Sequence, residues 1–214
     1  MSELNKRILT SVILLTILFL AIKNYFVLSL LLIFCFYEMF FEFYNILKKI
    51  FINKKNTLYL LLFFLLFYLI IICFCVWLYL TTNNKFFYTY FLFILSICIM
   101  SDIGGYIFGK IFKGKKITNV SPKKTYSGMF GSFCLSIVST SILFNNFMDY
   151  KVIFLLSFVI SLMSQIGDLL ISFLKRKAKI KDSGILLPGH GGLLDRFDGL
   201  LLGLPMGTLF YYLI

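Results

Sequence analysis

Three carboxylates, Asp168, Asp195 and Asp198, are conspicuous because acidic side chains are scarce here, 9 among 214 residues. Asp oxygens suit a hard cation such as Mg2+, which takes one or two carboxylates and completes its shell with phosphate oxygens and water. Lys175, Arg176, Lys181 and Arg196 lie in the same stretch, and Lys and Arg neutralise phosphate. The chemistry this set implies is the handling of phosphate esters with Mg2+ as cofactor. Zinc chemistry is disfavoured, because the chain has one His and its cysteines all lie in apolar runs. That His, His190, sits in Pro188-Gly189-His190-Gly191-Gly192. A phosphate nucleophile is already anionic, so His190 reads as a loop-shaping or phosphate-contacting residue ahead of a general base. Asp195 and Asp198 have a plainer alternative, since acidic residues are also favoured at a helix N-terminus.

The elements that must position these groups follow from spacing. Gln165, Asp168, Ser172 and Lys175/Arg176 recur every three or four residues, which on a helix makes one polar stripe. A carboxylate within a membrane helix is expensive and by default marks a functional site; a structural hydrogen bond between helices is the competing account. A second segment, 101–132, carries Asp102, a set of glycines, Lys110, Lys113, Lys115, Lys116, Lys123 and Lys124. Glycine lets backbone approach a ligand closely, and clustered lysines balance phosphate charge. The segment has no G-x-x-x-x-G-K-[ST] pattern, so a P-loop is not supported.

The composition sets the class: 60% hydrophobic, 14% charged, mean hydropathy +0.95. So much apolar surface cannot be hidden in one small soluble core, which makes an all-α polytopic transmembrane bundle the expectation. Seven apolar spans can be drawn, at about 8–22, 25–41, 58–80, 86–108, 129–147, 152–173 and 197–214. The first is short and follows Lys6 and Arg7, but no small-x-small cleavage site follows it, so it reads as a span. With alternating loops, all but Lys23, Lys85 and Lys151 of the 21 basic residues fall on one side. The positive-inside rule then puts the N-terminus and the long loops in the cytoplasm, with the protein in the inner (plasma) membrane. The net charge of +12 is accounted for by that asymmetry, and nucleic acid is not an expected partner. The organisation expected is membrane helices over 1–100 and a catalytic region over 101–214, with cytoplasmic loops at 101–128 and 174–197. Glu38 and Glu42, four apart at the end of the second span, read as side chains reaching the interface, with a polar interior as the alternative. A homodimer is compatible with this sequence.

Several of these residues form a recognisable pattern. Ser172-Phe-Leu-Lys175-Arg176, then Lys181-Asp182-Ser183-Gly184, then Leu187-Pro188-Gly189-His190-Gly191-Gly192, then Asp195-Arg196-Phe197-Asp198 resembles the C-terminal signature of the phosphatidate cytidylyltransferase (CDP-diacylglycerol synthase) family. Ser121-Pro122-Lys123-Lys124-Thr125 and Asp102…Gly104…Tyr106 are also similar to that family, so the likeness covers about 101–198. The chain departs from the pattern at Ser127-Gly128, where the family has an acidic residue before Gly, and at Gly131-Ser132, where it has a Gly pair. The chain is also short for the family, which suggests a trimmed N-terminal membrane region.

The resemblance implies the reaction CTP + phosphatidate → CDP-diacylglycerol + pyrophosphate at a bilayer face. It implies metal ligation by Asp168, Asp195 and Asp198, with Lys175 and Arg176 in the catalytic set. Substrate contacts would come from Asp102, Lys123, Lys124, Ser172, Lys181, His190, Gly191, Gly192 and Arg196. Two rivals are a CTP-dependent polyprenol or phytol kinase, which would release CDP, and an ion-coupled transporter using Asp168. A third is an enzyme-like chain that has lost activity, motivated by Ser127. A transporter has no need of the His-Gly-Gly-x-x-Asp-Arg-x-Asp loop, and no inverted repeat is visible.

Overall fold

A computed structural model describes residues 16–17, 19–21, 23–82, 84–118, 121, 124–184, 186 and 191–213. The described residues hold six helices: α1 (Tyr25–Ile50), α2 (Lys55–Thr81), α3 (Lys85–Phe112), α4 (Tyr126–Leu143), α5 (Tyr150–Lys177) and α6 (Leu194–Leu213). Helices α1 to α5 are each long and apolar enough to cross a membrane. The protein is an all-α membrane bundle, as its composition requires. The expected first span at 8–22 lies largely outside the described residues. The expected last span becomes α6, which carries Asp195, Arg196, Asp198 and Pro205 and is not among the five apolar helices.

Local chemistry sets the helix ends. The side chains of Asn24 and Asn84 each accept the amide N–H two residues on, at 2.9 Å, opening α1 and α3. The Thr125 hydroxyl accepts the Gly128 amide at 3.1 Å and opens α4. These caps satisfy donors that the first helical turn leaves without intrahelical partners. Basic residues occupy the last turns of α1 (Lys48, Lys49), α3 (Lys110) and α5 (Lys175, Arg176, Lys177), where the helix dipole favours them.

The chain divides into two units. The first comprises Met1–Asn83 and Leu174–Phe197. In it α1 packs on α2, with Leu47, Leu58 and Leu62 buried together against Phe40, Tyr44, Phe51 and Leu65. Helix α2 is apolar all round and exposes Phe63, Phe64, Phe67 and Ile71, the surface expected of a lipid-facing helix.

The second unit comprises Asn84–Phe173 and Asp198–Ile214. Here α3 packs closely on α4, and hydroxyl groups join the helices. Ser132 donates to the Ser101 carbonyl at 2.7 Å, the Ser101 and Ser161 hydroxyls meet at 2.9 Å, and those of Thr140 and Ser157 at 2.8 Å. The Tyr90 hydroxyl donates to the Gly207 carbonyl at 2.9 Å, tying α3 to α6. In hydrocarbon, small residues and hydroxyl bonds of this kind hold helices together where the hydrophobic effect offers no drive.

Candidate functional site

Within the second unit lies a cavity of about 280 Å³, lined by Ser101, Asp102, Lys124, Thr125, Gln165 and Asp168 among others. Asp102 stands in α3, which runs on to Phe112, so it projects from a helix and not from a loop. Lys124 is placed by its backbone: its carbonyl accepts the Ile117 amide at 3.0 Å and its own amide donates to Ser121 at 3.0 Å. One residue on, Thr125 forms a bridge with Lys116. The Lys124 ammonium, held in this way, pairs with the Asp168 carboxylate of α5. Gln165, one turn earlier, donates to the Ser161 hydroxyl at 3.4 Å, so the polar stripe read from the sequence runs into the serine contacts joining α5 to α3.

Asp198, on α6, brings its carboxyl within hydrogen-bonding reach of Asp168. Its Oδ1 also accepts the Gly199 amide at 2.9 Å. Asp102 lies in electrostatic range of Asp168 and Lys124. Two carboxylates this close repel each other, which favours a cation beside them. As a donor set, the pair fits Mg2+, which takes one or two carboxylates alongside phosphate oxygens. Among the described residues no three His, Cys, Asp or Glu side chains gather as a metal-binding group. Asp168 and Asp198 therefore come together, while Asp195 takes part in a different network.

That network is in the first unit. The Lys175 ammonium donates to Asp195 Oδ1 at 2.6 Å, and Asp195 Oδ2 accepts the amides of Ser183 at 2.9 Å and Gly192 at 3.3 Å. Both partners of the ion pair are 12% exposed. Burial works to raise the Asp195 carboxyl, but the Lys175 ammonium and the two amides outweigh it and hold it below the ordinary carboxylate value. The neighbouring Arg176 donates to the Ile180 carbonyl at 3.2 Å and closes the end of α5. Lys181 and Arg196 are exposed, Ser172 is partly buried, and Gly191 takes the left-handed φ of 83°. Lys123 and His190 lie outside the described residues.

Glu42 requires a correction. The sequence favoured an interfacial side chain, yet Glu42 is 3% exposed. It accepts the Ser183 hydroxyl at 2.6 Å and the amides of Leu193 and Leu194 at 2.9 Å each. The only local signal was a pair of glutamates one turn apart. The two serines at the departing positions have local partners: Ser127 Oγ accepts the Gly114 amide at 3.2 Å, and buried Ser132 reaches Ser101.

A family model described as the Cytidylyltransferase family matches residues 4–214. The chain belongs to that family. Both networks and the cavity lie inside the matched region. Among curated relatives, a phosphatidate cytidylyltransferase of Rickettsia felis is 41% identical over 135 residues, 58% of this chain and 58% of that protein. One of Staphylococcus epidermidis is 41% identical over 122 residues, 55% of this chain and 46% of that protein. The chain spans about half the length of the curated relatives it matches. In this cytidylyltransferase-family chain, Lys124, Asp168 and Asp198 come together in the second unit.

Proposed function

We propose that the protein transfers a cytidylyl group from CTP to phosphatidate, giving CDP-diacylglycerol and pyrophosphate for phospholipid synthesis. The observation that carries this reading is the Lys124–Asp168 pair at the cavity, with the Asp198 carboxyl beside it. A phosphate oxygen of phosphatidate attacks the α-phosphorus of CTP. The new P–O bond forms as the bond from the α-phosphorus to the bridging oxygen breaks, and pyrophosphate leaves with that electron pair. Catalysis of such a transfer is mainly positioning and charge neutralisation.

The residues divide that work. Lys124, with Lys123 beside it in sequence, balances triphosphate charge. Asp168 and Asp198 would hold Mg2+, with Asp102 at the same cavity; the oxygens of Asp195 are taken by Lys175 and the Ser183 and Gly192 amides. When bound, the ion would neutralise and orient phosphate oxygens. Lys175 and Arg176 in the last turn of α5, Lys181 in the loop that follows and Arg196 in the first turn of α6 supply positive charge, and Ser172, His190, Gly191 and Gly192 lie in the same stretch of sequence as substrate contacts. The basic last turns of α1, α3 and α5 support an inner-membrane topology with this loop on the cytoplasmic side, where a lipid phosphate and CTP can both be reached.

The test is pyrophosphate release by detergent-purified protein given phosphatidate, CTP and Mg2+, with Asp198→Asn as control. Pyrophosphate that requires both substrates and disappears in the variant supports the reading. CDP released on a lipid alcohol, with no pyrophosphate, would replace it with a kinase.

A further inference from the structure

We infer that Glu42 is the positioning residue of the loop that enters α6, fixing from a separate helix the backbone on which Lys175 and Asp195 are held. This rests on the proposed cytidylyl transfer and assigns that reaction a residue outside the 101–198 stretch that carries the recognisable pattern. A carboxylate 3% exposed is strongly disfavoured unless its oxygens are hydrogen-bonded. Here three donors meet it: the Ser183 hydroxyl of the loop, and the Leu193 and Leu194 amides where the loop enters α6. The two amides open α6, at the positive end of its dipole, where first-turn N–H groups have no intrahelical acceptor. Glu42 therefore caps a helix that lies about 150 residues further along the chain.

Glycine placement supports the same assignment. A Cβ at Gly184 would lie 2.5 Å from Glu42 Oε1, and one at Gly192 would meet Ser183 Oγ first and then both Glu42 carboxylate oxygens at 2.6 Å. Gly184 is thus crowded by Glu42, and Gly192 by Ser183 and Glu42 together. Ser183 joins the two carboxylates directly. Its hydroxyl donates to Glu42 and its amide to Asp195. Gly192 donates to Asp195 while the next two amides donate to Glu42. The loop is clamped between two carboxylates, and Asp195 in turn holds Lys175. A change at Glu42 is therefore transmitted to Lys175 through Ser183, Gly192 and Asp195.

The test uses the full-length purified protein and four variants: Glu42→Gln, Gly192→Ala, the double variant, and Glu38→Gln as a control on the same helix. Amide hydrogen exchange is followed over peptides covering 186–196, alongside pyrophosphate release at a temperature below the onset of unfolding. Exchange at Leu193 and Leu194 should accelerate at least about 10-fold in Glu42→Gln, with α2 and α3 unchanged. The kcat should fall about 30- to 100-fold with both KM values within about threefold, because misplaced groups lose transition-state stabilisation. Gly192→Ala should show the same split, and the double variant should be no worse than the more impaired single, as expected of residues acting through one contact. Glu38→Gln should match the wild type. Faster exchange with unchanged kcat, or unchanged exchange in Glu42→Gln, overturns the assignment. Wild-type protein that releases no pyrophosphate overturns the proposed reaction instead, and the exchange data still decide whether Glu42 holds the loop.

Discussion

The ammonium of Lys124 meets the carboxylate of Asp168, joining the loop before α4 to α5. At 24% and 29% side-chain exposure the pair stays accessible, so a phosphate can compete with Asp168 for Lys124. Lys124→Ala should therefore raise the apparent KM for CTP about 10-fold or more, equivalent to about 1.4 kcal/mol. Lys124→Arg, which keeps the charge, should lose less. Steady-state pyrophosphate release at varied CTP checks this; a KM unchanged in Lys124→Ala would remove Lys124 from the nucleotide site.

Asp168 and Asp198 bring two carboxyl groups within hydrogen-bonding reach. Replacing either by Asn should lower kcat about 100-fold or more, on the scale of losing one group that stabilises transition-state charge. Removing one carboxylate also relieves the repulsion between the pair, so folding should be preserved or improved. Thermal unfolding in detergent, measured beside turnover, separates the two effects.

Chelation is an independent test of that pair. EDTA should arrest pyrophosphate release and Mg2+ should restore it, while Ca2+, larger and less demanding of octahedral geometry, should restore it poorly. Activity that persists after thorough chelation would take the metal role away from Asp168 and Asp198.

Lys175 and Arg176 are adjacent in sequence but should behave differently. Lys175→Ala leaves Asp195, a mostly buried carboxylate, with two amides and no cation, and should cost about 1.5–3 kcal/mol of stability, the range for a charged hydrogen bond. Arg176→Ala removes one exposed bond to the Ile180 carbonyl and should change stability by less than about 0.5 kcal/mol. Denaturation midpoints for the two variants, measured side by side, decide whether the ion pair has this role.

The same clamp gives a pH dependence. Asp195 is held below the ordinary carboxylate value when folded, so its contribution is fully present above the unfolded-state value. It is lost as pH falls through the lower, folded-state value. Wild-type stability should therefore fall in the acid range by more than that of Asp195→Asn, which has no carboxylate to protonate there. Parallel acid titrations of unfolding check the difference; coincident curves would mean that Asp195 gains nothing from Lys175.

The class of protein was legible in the sequence, as were two of the charged residues that line its cavity. Long apolar runs can satisfy their backbone in a bilayer only as helices, so composition alone determined five of the helices. Asp168 was legible because a carboxylate amid apolar residues on a helix has no inexpensive explanation, and Lys124 because lysines cluster with glycine beside it. Tertiary structure decided which charges meet. Asp195 and Asp198 stand three apart on one helix, yet one pairs with Lys175 and the other with Asp168. Glu42 shows the limit most sharply. Its hydrogen-bond donors lie 141 to 152 residues away, so no local spacing could distinguish a buried helix cap from a glutamate reaching toward water. Periodicity and hydropathy report which side chains need burial or solvent, whereas hydrogen bonds between distant segments exist only after the helices have packed.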